Sequence, residues 1–265
     1  MFLIVDKPIA ITSFGVIKFL KKFYIWQKIW HSGTLDPNAT WLMILAVWKD
    51  TKNLEKLIWH DKTYNATIDF SKISDTRDLD FHKEFIQFKC SKKWLVLNEK
   101  DFKFMKKNWN ISKLKYFWLF LKFYLFKFLR KPFVVYAPDM EQLNAKLNRI
   151  IPYKQLPLPA FSAKKVKWKR LYKMARKWKI KKRFKKMKVN SYEILEYNFP
   201  ILKLKFDVGS GTYIRSIAYR LGKQFNMWWI LTDLRRLSIW KFQLSDYKMK
   251  SIEKSNIKFF ELENI

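Results

Sequence analysis

The feature that most constrains this chain is its scarcity of glycine, with 5 glycines and 13 tryptophans among 265 residues. Glycine supplies positive φ angles and close backbone approach, so it limits how many tight turns a chain can form. Average usage of roughly 7% would give a chain of this length about 18 or 19 glycines. The excess of tryptophan is close to the deficit of glycine, which suggests that the two share one cause.

The remaining composition excludes several classes of protein. Hydrophobic residues make up 49% of the chain, too many for a disordered basic tail. The single cysteine, Cys90, excludes a disulfide scaffold and a zinc–cysteine cluster, and it is typical of a reducing compartment. No spacing among Cys90 and the three histidines resembles a metal site, and no glycine-rich phosphate loop is present. We therefore expect neither a metal nor a cofactor.

Positive charge dominates the chain and is concentrated in one stretch. The whole chain has 55 Lys and Arg against 22 Asp and Glu, a formal net charge of +33. Residues 102–192 hold 27 of the basic residues and only two acidic ones, Asp139 and Glu141. A nucleic-acid backbone is the commonest partner for such charge. A membrane surface, or lysine codon bias in an A+T-rich genome, would be the alternatives.

No segment of the sequence predicts a membrane span. The most apolar run, residues 116–129, has 14 residues and contains Lys122 and Lys127. It falls short of the roughly 20 apolar residues that a spanning helix needs. The first residues, MFLIVDKP, lack the pattern of a signal peptide. We expect a soluble cytoplasmic monomer with no membrane partner.

Hydrophobic periodicity predicts an α+β chain, because strands and helices do not alternate regularly. Thr12 and Ser13 offer N-cap oxygens to the first predicted helix, and Asp139 to the third. Residues 30–40 contain too many turn-forming residues for either element and are predicted to form a loop. The predicted strands are residues 2–5, 64–70 and 202–208, and the predicted helices are residues 14–23, 50–58, 140–150 and 213–224.

The loop of residues 30–40 contains the one carboxylate with a claim to chemistry, Asp36 in HSGTLDPNAT. An aspartate among Gly, Thr and Pro is ordinarily a turn residue that accepts hydrogen bonds from nearby backbone amides. In a chain that binds a polyanion, however, a carboxylate facing the ligand would be repelled by it. A carboxylate kept in such a place therefore suggests a function. The spacing to His31 does not decide between the two interpretations.

The run from Trp30 to Trp41 resembles the catalytic motif of TruB-type tRNA pseudouridine synthases, GHxGTLDPxATG. Four further segments resemble motifs of that family in the same order, so that the likeness covers about two thirds of the chain. These segments are Asp6-Lys7-Pro8 with Thr12-Ser13; Asp61 to Tyr64 with Ser74 to Thr76 and Asp78; Pro159 to Ala163 with Lys169 to Tyr172 and Ala175-Arg176; and Gly211 to Ser216 with Leu234 to Arg236.

The resemblance implies a fold and an activity. The fold is the pseudouridine-synthase fold, a central, mainly antiparallel mixed sheet flanked by helices. The activity is isomerisation of a T-arm uridine of tRNA, position 55, to pseudouridine without cofactor or metal. By the same resemblance Asp36 is the catalytic aspartate, Arg215 pairs with it and orients it, and Tyr64 stacks on the uracil. Asp36 could attack C1′, add to C6 or abstract a ribose proton.

The resemblance also implies which residues contact RNA. His31 would fill the space of the flipped-out base, Lys7 would position backbone, and Asp75 would line the pocket wall. The lysine-rich residues 164–188 would follow T-arm phosphates, giving affinity with little sequence specificity. The predicted RNA-binding set is His31, Lys7, Asp75, Thr34, Lys164, Lys169, Arg170 and Arg236.

The expected catalytic domain spans residues 1–245 and includes a Lys- and Phe-rich insertion at about residues 82–136. Residues 246–265 would be a short C-terminal tail, too short for the RNA-binding module that many bacterial relatives carry there. The insertion could supply RNA contacts in its place. Two other functions stay open: a related synthase that acts on another RNA, and a non-catalytic factor that binds and refolds tRNA.

Tryptophan stands where these motifs have glycine. Substituting the bulkiest side chain at several tight turns, each time to the same residue, needs one common cause. We predict that UGA codons, read as glycine in the source organism, are rendered here as tryptophan. Ala10 also replaces a motif glycine. The predicted glycine positions are Trp30, Trp41, Trp48, Trp168, Trp178, Trp240 and at least one of Trp228 and Trp229.

Overall fold

The computed structural model describes residues 1–74, 133–166, 168–175, 183–225, 227, 229–251 and 256–262, and the short stretches 86–87, 89–90 and 94–97. Its helices are α1 Ser13–Leu20, α2 Leu54–Ile58, α3 Met140–Asn148, α4 Leu171–Ala175 and α5 Ile214–Phe225, with 3-10 turns at Trp48–Lys52 and Leu244–Asp246. Its first nine strands are β1 Phe2–Lys7, β2 Ile29–His31, β3 Ala39–Val47, β4 Lys62–Asp69, β5 Lys72–Ile73, β6 Ile86–Gln87, β7 Lys89–Cys90, β8 Trp94–Leu97 and β9 Phe133–Tyr136. The others are β10 Tyr153–Pro157, β11 Lys165–Val166, β12 Lys169–Arg170, β13 Phe184–Asn198, β14 Ile201–Val208, β15 Ile230–Ile239, β16 Phe242–Gln243, β17 Lys250–Ser251 and β18 Lys258–Leu262.

One sheet of 11 strands organises the molecule. Its strand order is β10-β13-β14-β4-β15-β3-β1-β18-β17, with β16 paired to β15 and β2 paired to β3. The neighbours are antiparallel except for β15 and β3, which run parallel. The predicted α+β class and the mainly antiparallel mixed sheet are therefore confirmed.

Helices cover both faces of this sheet. On one face α1, α3 and α5 pack their apolar residues against the larger core, which also holds Tyr64 and Leu204. On the other face α2 contributes Leu54 and Leu57 to a smaller core with Leu42 and Ile44 of β3. Since β3 is buried on both sides, its run of apolar residues lacks alternation, as expected for a central strand.

Helix capping was predicted correctly at two helices. Thr12 accepts a hydrogen bond from the backbone amide of Gly15, 2.9 Å away, at the start of α1. Asp139 accepts one from the amide of Gln142 at 2.7 Å, at the start of α3. Such caps satisfy amides that have no partner within the helix, which is why these residue types mark helix starts.

Three long strands were not predicted: β3, β13 and β15. Strand β13 runs for 15 residues, Phe184–Asn198, through part of the lysine-rich stretch. Only alternate residues near its start, Met187 and Val189, are fully buried, so its lysines concealed a strand pattern. Strand β15, Ile230–Ile239, was missed for the same reason, because charged residues lie between its apolar ones. Strand β3 was missed because its continuous apolar run lacks the alternation that marks a half-buried strand.

The C-terminal residues belong to the same sheet. Strand β18 pairs antiparallel with β1 along its whole length, from Phe2 opposite Leu262 to Asp6 opposite Lys258. Most of the predicted insertion, including residues 116–129, lies outside the described residues. No helix in the described part of the chain combines the length and the apolarity needed to cross a bilayer.

Left-handed backbone conformations occur almost entirely at tryptophan. Six described residues other than glycine have positive φ, and the one that is not tryptophan is Ala10 at 66°. A bulky side chain in this region costs roughly 1–2 kcal/mol, because its Cβ crowds the following carbonyl. The five tryptophans are Trp26 (64°), Trp41 (85°), Trp48 (58°), Trp168 (64°) and Trp240 (53°).

Four of these five tryptophans coincide with predicted glycine positions: Trp41, Trp48, Trp168 and Trp240. Trp26, which no motif singled out, is a further position with the backbone conformation of glycine. The remaining predicted positions differ: Trp30 lies in strand β2, Trp229 is buried beside Gly222, and Trp178 and Trp228 lie outside the described residues. The backbone thus has the conformation that favours glycine at five tryptophan positions, and at Trp30 it does not.

We expect Trp26→Gly and Trp168→Gly each to raise the melting temperature by about 2 °C, because relief of strain near 1 kcal/mol shifts a chain of this size by roughly that amount. Both indoles are almost fully exposed, at 101% and 93%, so their removal forfeits little packing. The matched control is Trp30→Gly in strand β2, where glycine relieves no strain and should lower the melting temperature. Thermal unfolding followed by circular dichroism measures all three. Destabilisation by all three substitutions alike would contradict the strain argument.

The codon hypothesis makes a second prediction. The gene should carry UGA at positions 26, 41, 48, 168 and 240, and peptide mass spectrometry of the protein from its own organism should find glycine there. UGG codons at these positions would disprove it.

Candidate active site

Asp36 lies in the loop between β2 and β3, and a buried lysine fixes the backbone that follows it. Lys7, at the end of β1, is fully buried. Its ammonium group donates hydrogen bonds to the carbonyls of Pro8 (3.0 Å), Pro37 (2.9 Å) and Ala39 (2.5 Å). The carbonyl of Asp36 accepts a bond from the amide of Ala39 at 3.0 Å, closing a turn. The loop is thereby held at two carbonyls directly after the aspartate.

The carboxylate of Asp36 pairs with Arg215, a residue 179 positions away in the chain. Nη2 of Arg215 lies 2.8 Å from Oδ1 of Asp36 and 2.9 Å from the carbonyl of Phe161. The arginine side chain is 4% exposed and the aspartate side chain 28%. A buried guanidinium therefore orients a carboxylate that stays accessible to a ligand, and it supplies positive charge where a polyanion would approach. The predicted pairing of Asp36 with Arg215 is present.

Helix α5 holds this arginine against the segment of residues 157–162. Ser216, the next residue of the helix, donates a hydrogen bond from Oγ to the carbonyl of Pro157 at 2.6 Å. Arg215 itself bonds to Phe161, so two successive residues of the first turn anchor the same segment. The two sequence motifs, which lie about fifty residues apart, thus form one unit beside Asp36.

Tyr64 lies on β4 in the middle of the sheet and is 8% exposed. It is opposite Phe206 of β14 on one side and opposite Arg236 of β15 on the other. Its side chain belongs to the same apolar core as Leu35 and Ile214, the residues that precede Asp36 and Arg215. Asp36 and Arg215 are thus in direct contact, and Tyr64 belongs to the core against which their neighbours pack.

Arg236 rises from β15 beneath the catalytic loop. It is 1% exposed, and its Nε donates to the carbonyl of Leu42 at 2.8 Å. Its Nη1 lies 3.6 Å from the position that a Cβ on Gly33 would take. Burial keeps the cationic groups of Arg236 and Lys7 from the surface of this structure, and their predicted RNA contacts stay predictions. Lys7 binds backbone carbonyls around the loop, whereas Arg236 binds the backbone of β3.

His31 ends strand β2, beside the loop. Burial lowers the pKa of His31, and the positive charge of Arg236 acts in the same direction. Its imidazole is therefore a neutral polar ring at neutral pH.

The other predicted RNA contacts are placed as follows. Thr34 is exposed at the tip of the catalytic loop, and Lys164 and Arg170 are exposed near the Pro157–Phe161 segment. The backbone of Lys169 lies in β12, whereas its side chain and the whole of Asp75 lie outside the described residues. Exposure makes Thr34, Lys164 and Arg170 available to a ligand.

Tyr213 is a site residue that the sequence interpretation missed. Burial raises the pKa of Tyr213, and the nearby carboxylate of Asp36 acts in the same direction. The phenol therefore stays protonated and can donate a hydrogen bond next to the Asp36–Arg215 pair. Its place within Gly211–Ser216, two residues before Arg215, was the available signal. Within the described ranges, no group of three or more His, Cys, Asp and Glu side chains is placed to hold a metal ion.

The sequence of this chain matches a known protein family. Residues 21–107 and 132–214 match the sequence model of the N-terminal domain of TruB family pseudouridylate synthases. The chain belongs to this family. Among its relatives, the tRNA pseudouridine synthase B of Malacoplasma penetrans is 30% identical over 243 residues, which cover 91% of this chain and 85% of the relative. That of Chlamydia felis is 31% identical over 245 residues, covering 91% and 83%.

Solved structures support the fold of this TruB family member. A chain of a Cbf5–Nop10–Gar1 complex superposes with a TM-score of 0.57 at 18% identity and covers 92% of this chain. A chain of an H/ACA RNP bound to a substrate RNA gives a TM-score of 0.53 at 17% identity. This chain spans about half the length of those two, 50% and 49%. At this identity the likeness shows a shared fold and no more, and it agrees with the predicted pseudouridine-synthase fold.

The placement of Arg236 predicts how His31 titrates. Arg236→Gln removes the charge but keeps a group that can donate to Leu42, so we expect the pKa of His31 to rise toward its ordinary value of 6.5 without reaching it, because burial remains. NMR titration of the histidine signals measures this change. The control is Arg235→Gln, since Arg235 is the exposed neighbour on the opposite face of β15. An unchanged His31 pKa in Arg236→Gln would contradict the assigned charge effect.

Proposed function

We propose that this chain converts a T-arm uridine of tRNA, position 55, to pseudouridine, with Asp36 as the catalytic residue. The observation that carries the proposal is the pair between Asp36 and the buried Arg215, at the core that also contains Tyr64. Family membership supports the isomerisation, and the relatives named tRNA pseudouridine synthase B support tRNA as the substrate.

The reaction breaks the bond from C1′ to N1, turns the uracil and joins C5 to C1′. The C5 hydrogen leaves as a proton and N1 ends protonated, so the product is an isomer of the substrate and no redox partner is needed. Asp36 faces the sugar or the base, and Arg215 offsets its charge among the phosphates. Tyr64 stacks on the uracil and assists the loss of the C5 proton.

The target nucleotide leaves its stack before it can react, because a stacked base in the T-loop shields its glycosidic bond. His31 occupies the space that the base vacates. As a neutral ring held at the end of β2, it can fill that space without adding charge. Unstacking of this kind costs a few kcal/mol, which contacts elsewhere on the RNA must offset.

Those contacts come from the positive charge of the chain. Exposed Lys164 and Arg170 lie on the segments beside Arg215, and the lysine-rich residues up to 188 continue along β13. Affinity from phosphate contacts falls steeply with salt and carries little sequence information. The insertion at about residues 82–136 adds further contacts in this proposal.

The proposed catalytic domain spans residues 1–245, followed by residues 246–265, which add strands β17 and β18 to its sheet. Strand β18 of the tail completes the edge of the catalytic sheet beside β1. The chain acts as a cytoplasmic monomer, a setting in line with its single cysteine.

The test is to incubate the full chain with unmodified tRNA and to map pseudouridine along it. We expect a single modification in the T-arm. Asp36→Asn should reduce its formation by more than about a thousandfold, as loss of an essential catalytic group does. Its affinity for tRNA should stay within a few-fold, because the phosphate contacts are untouched. The matched control is Asp246→Asn, the same chemical change at an exposed aspartate of the second 3-10 turn, which should retain full activity.

The other outcomes separate the rival functions. Unchanged pseudouridine formation in Asp36→Asn would remove the catalytic assignment. Binding of tRNA without any modification by the natural chain would favour the RNA-folding factor. Modification outside the T-arm, or of another RNA only, would favour a synthase with a different target.

A further inference from the structure

A buried serine outside the catalytic loop bonds to the residue that precedes the catalytic aspartate. Ser13, the first residue of α1, is 1% exposed. Its Oγ accepts a hydrogen bond from the amide of Leu35 at 2.8 Å and donates one to the carbonyl of the same residue at 3.3 Å. One hydroxyl thus satisfies both backbone groups of Leu35, whose side chain is also buried.

We propose that Ser13 is a positioning residue for the reaction and that it acts through Leu35 on the carboxylate of Asp36. The proposal rests on the proposed function, since it assigns Ser13 a part in the same isomerisation. Ser13 does not touch the substrate. Its effect is to fix the peptide plane from which the side chain of Asp36 projects.

The loop needs this support because it has no strand or helix of its own at Leu35 and Asp36. Buried backbone groups without partners are costly, so the Leu35 amide and carbonyl must be satisfied by a side chain. On the far side of Asp36, Lys7 binds the carbonyls of Pro37 and Ala39. The aspartate is therefore held from both sides, and both supports come from one short segment between β1 and α1.

Loss of the Ser13 hydroxyl would free only one of these sides. The Leu35–Asp36 peptide could then rotate while Pro37 and Ala39 remained bound to Lys7. Such rotation moves the carboxylate relative to Arg215 and to the nucleotide, and a displacement of about 1 Å at a reacting group lowers rate roughly a hundredfold. The exposed groups that hold phosphates are not disturbed. The defect should thus appear in kcat, with KM for tRNA unchanged.

Thr12 offers a matched control from the adjacent position. Its hydroxyl also accepts a backbone amide, that of Gly15 at 2.9 Å, but this bond lies within the first turn of α1. Thr12→Ala removes a helix cap, which costs about 1 kcal/mol of stability. Ser13→Ala removes bonds to the catalytic loop. Both variants should therefore be destabilised, Ser13→Ala more than Thr12→Ala, but only Ser13→Ala should lose turnover at a temperature where both are folded.

The experiment measures kcat and KM for tRNA, together with the melting temperature, for the full natural chain, Ser13→Ala and Thr12→Ala. Assays are run well below the lowest melting temperature. We expect Ser13→Ala to lower kcat by a factor of about ten to a hundred, with KM changed less than threefold. Thr12→Ala should keep kcat within a factor of about two. If Ser13→Ala is too unstable to assay, Ser13→Cys, whose thiol bonds weakly, replaces it and should lower kcat below that of the natural chain.

Three results would overturn the inference: equal kcat in Ser13→Ala and the natural chain, equal losses of kcat in the Ser13 and Thr12 variants, or a defect confined to KM. In the cysteine variant, kcat equal to that of the natural chain would do the same. Failure of the proposed function looks different. In that case the natural chain itself forms no pseudouridine, or Asp36→Asn remains active.

Discussion

The bond between Asp36 and Arg215 is the interaction on which the rest of the site depends. It joins the loop after β2 to the first turn of α5, two parts of the chain that approach only when the sheet is complete. A buried guanidinium is expensive unless its donors are satisfied, and here the carboxylate and the Phe161 carbonyl share one nitrogen. The geometry that stabilises the arginine is thus also the geometry that aims the aspartate.

Around this pair, buried polar side chains form the hydrogen bonds to backbone groups that regular secondary structure forms elsewhere. Ser13 satisfies the backbone before Asp36, Lys7 satisfies the backbone after it, and Ser216 fixes α5 to Pro157. None of the three is exposed at the surface. An accessible carboxylate in an irregular loop can therefore keep one orientation, because the supports lie behind it in the core. This arrangement leaves the exposed cations free to bind phosphates.

The sequence predicted the site better than the sheet around it, for physical reasons. The loop at Asp36 and the caps at Thr12 and Asp139 are local patterns, and local patterns survive in sequence. Strand β13 was missed because lysines occupy its exposed positions. Lys7 and Arg236 were predicted to contact RNA because they match family motifs, whereas only the tertiary structure shows that both are buried. The tryptophans with positive φ were found partly from sequence. Family motifs pointed to four of them, and the backbone φ angle added Trp26.

Isomerisation of a tRNA uridine by this chain is measured most directly as the release of tritium from tRNA whose uridines carry the label at C5. Joining C5 to C1′ expels the C5 hydrogen, so isomerisation must transfer that label to water, whereas binding or refolding of the RNA does not. If the chain isomerises one T-arm uridine, it should release the label of a single uridine per tRNA molecule. Saturation of the tRNA by the protein with no release of tritium would contradict it.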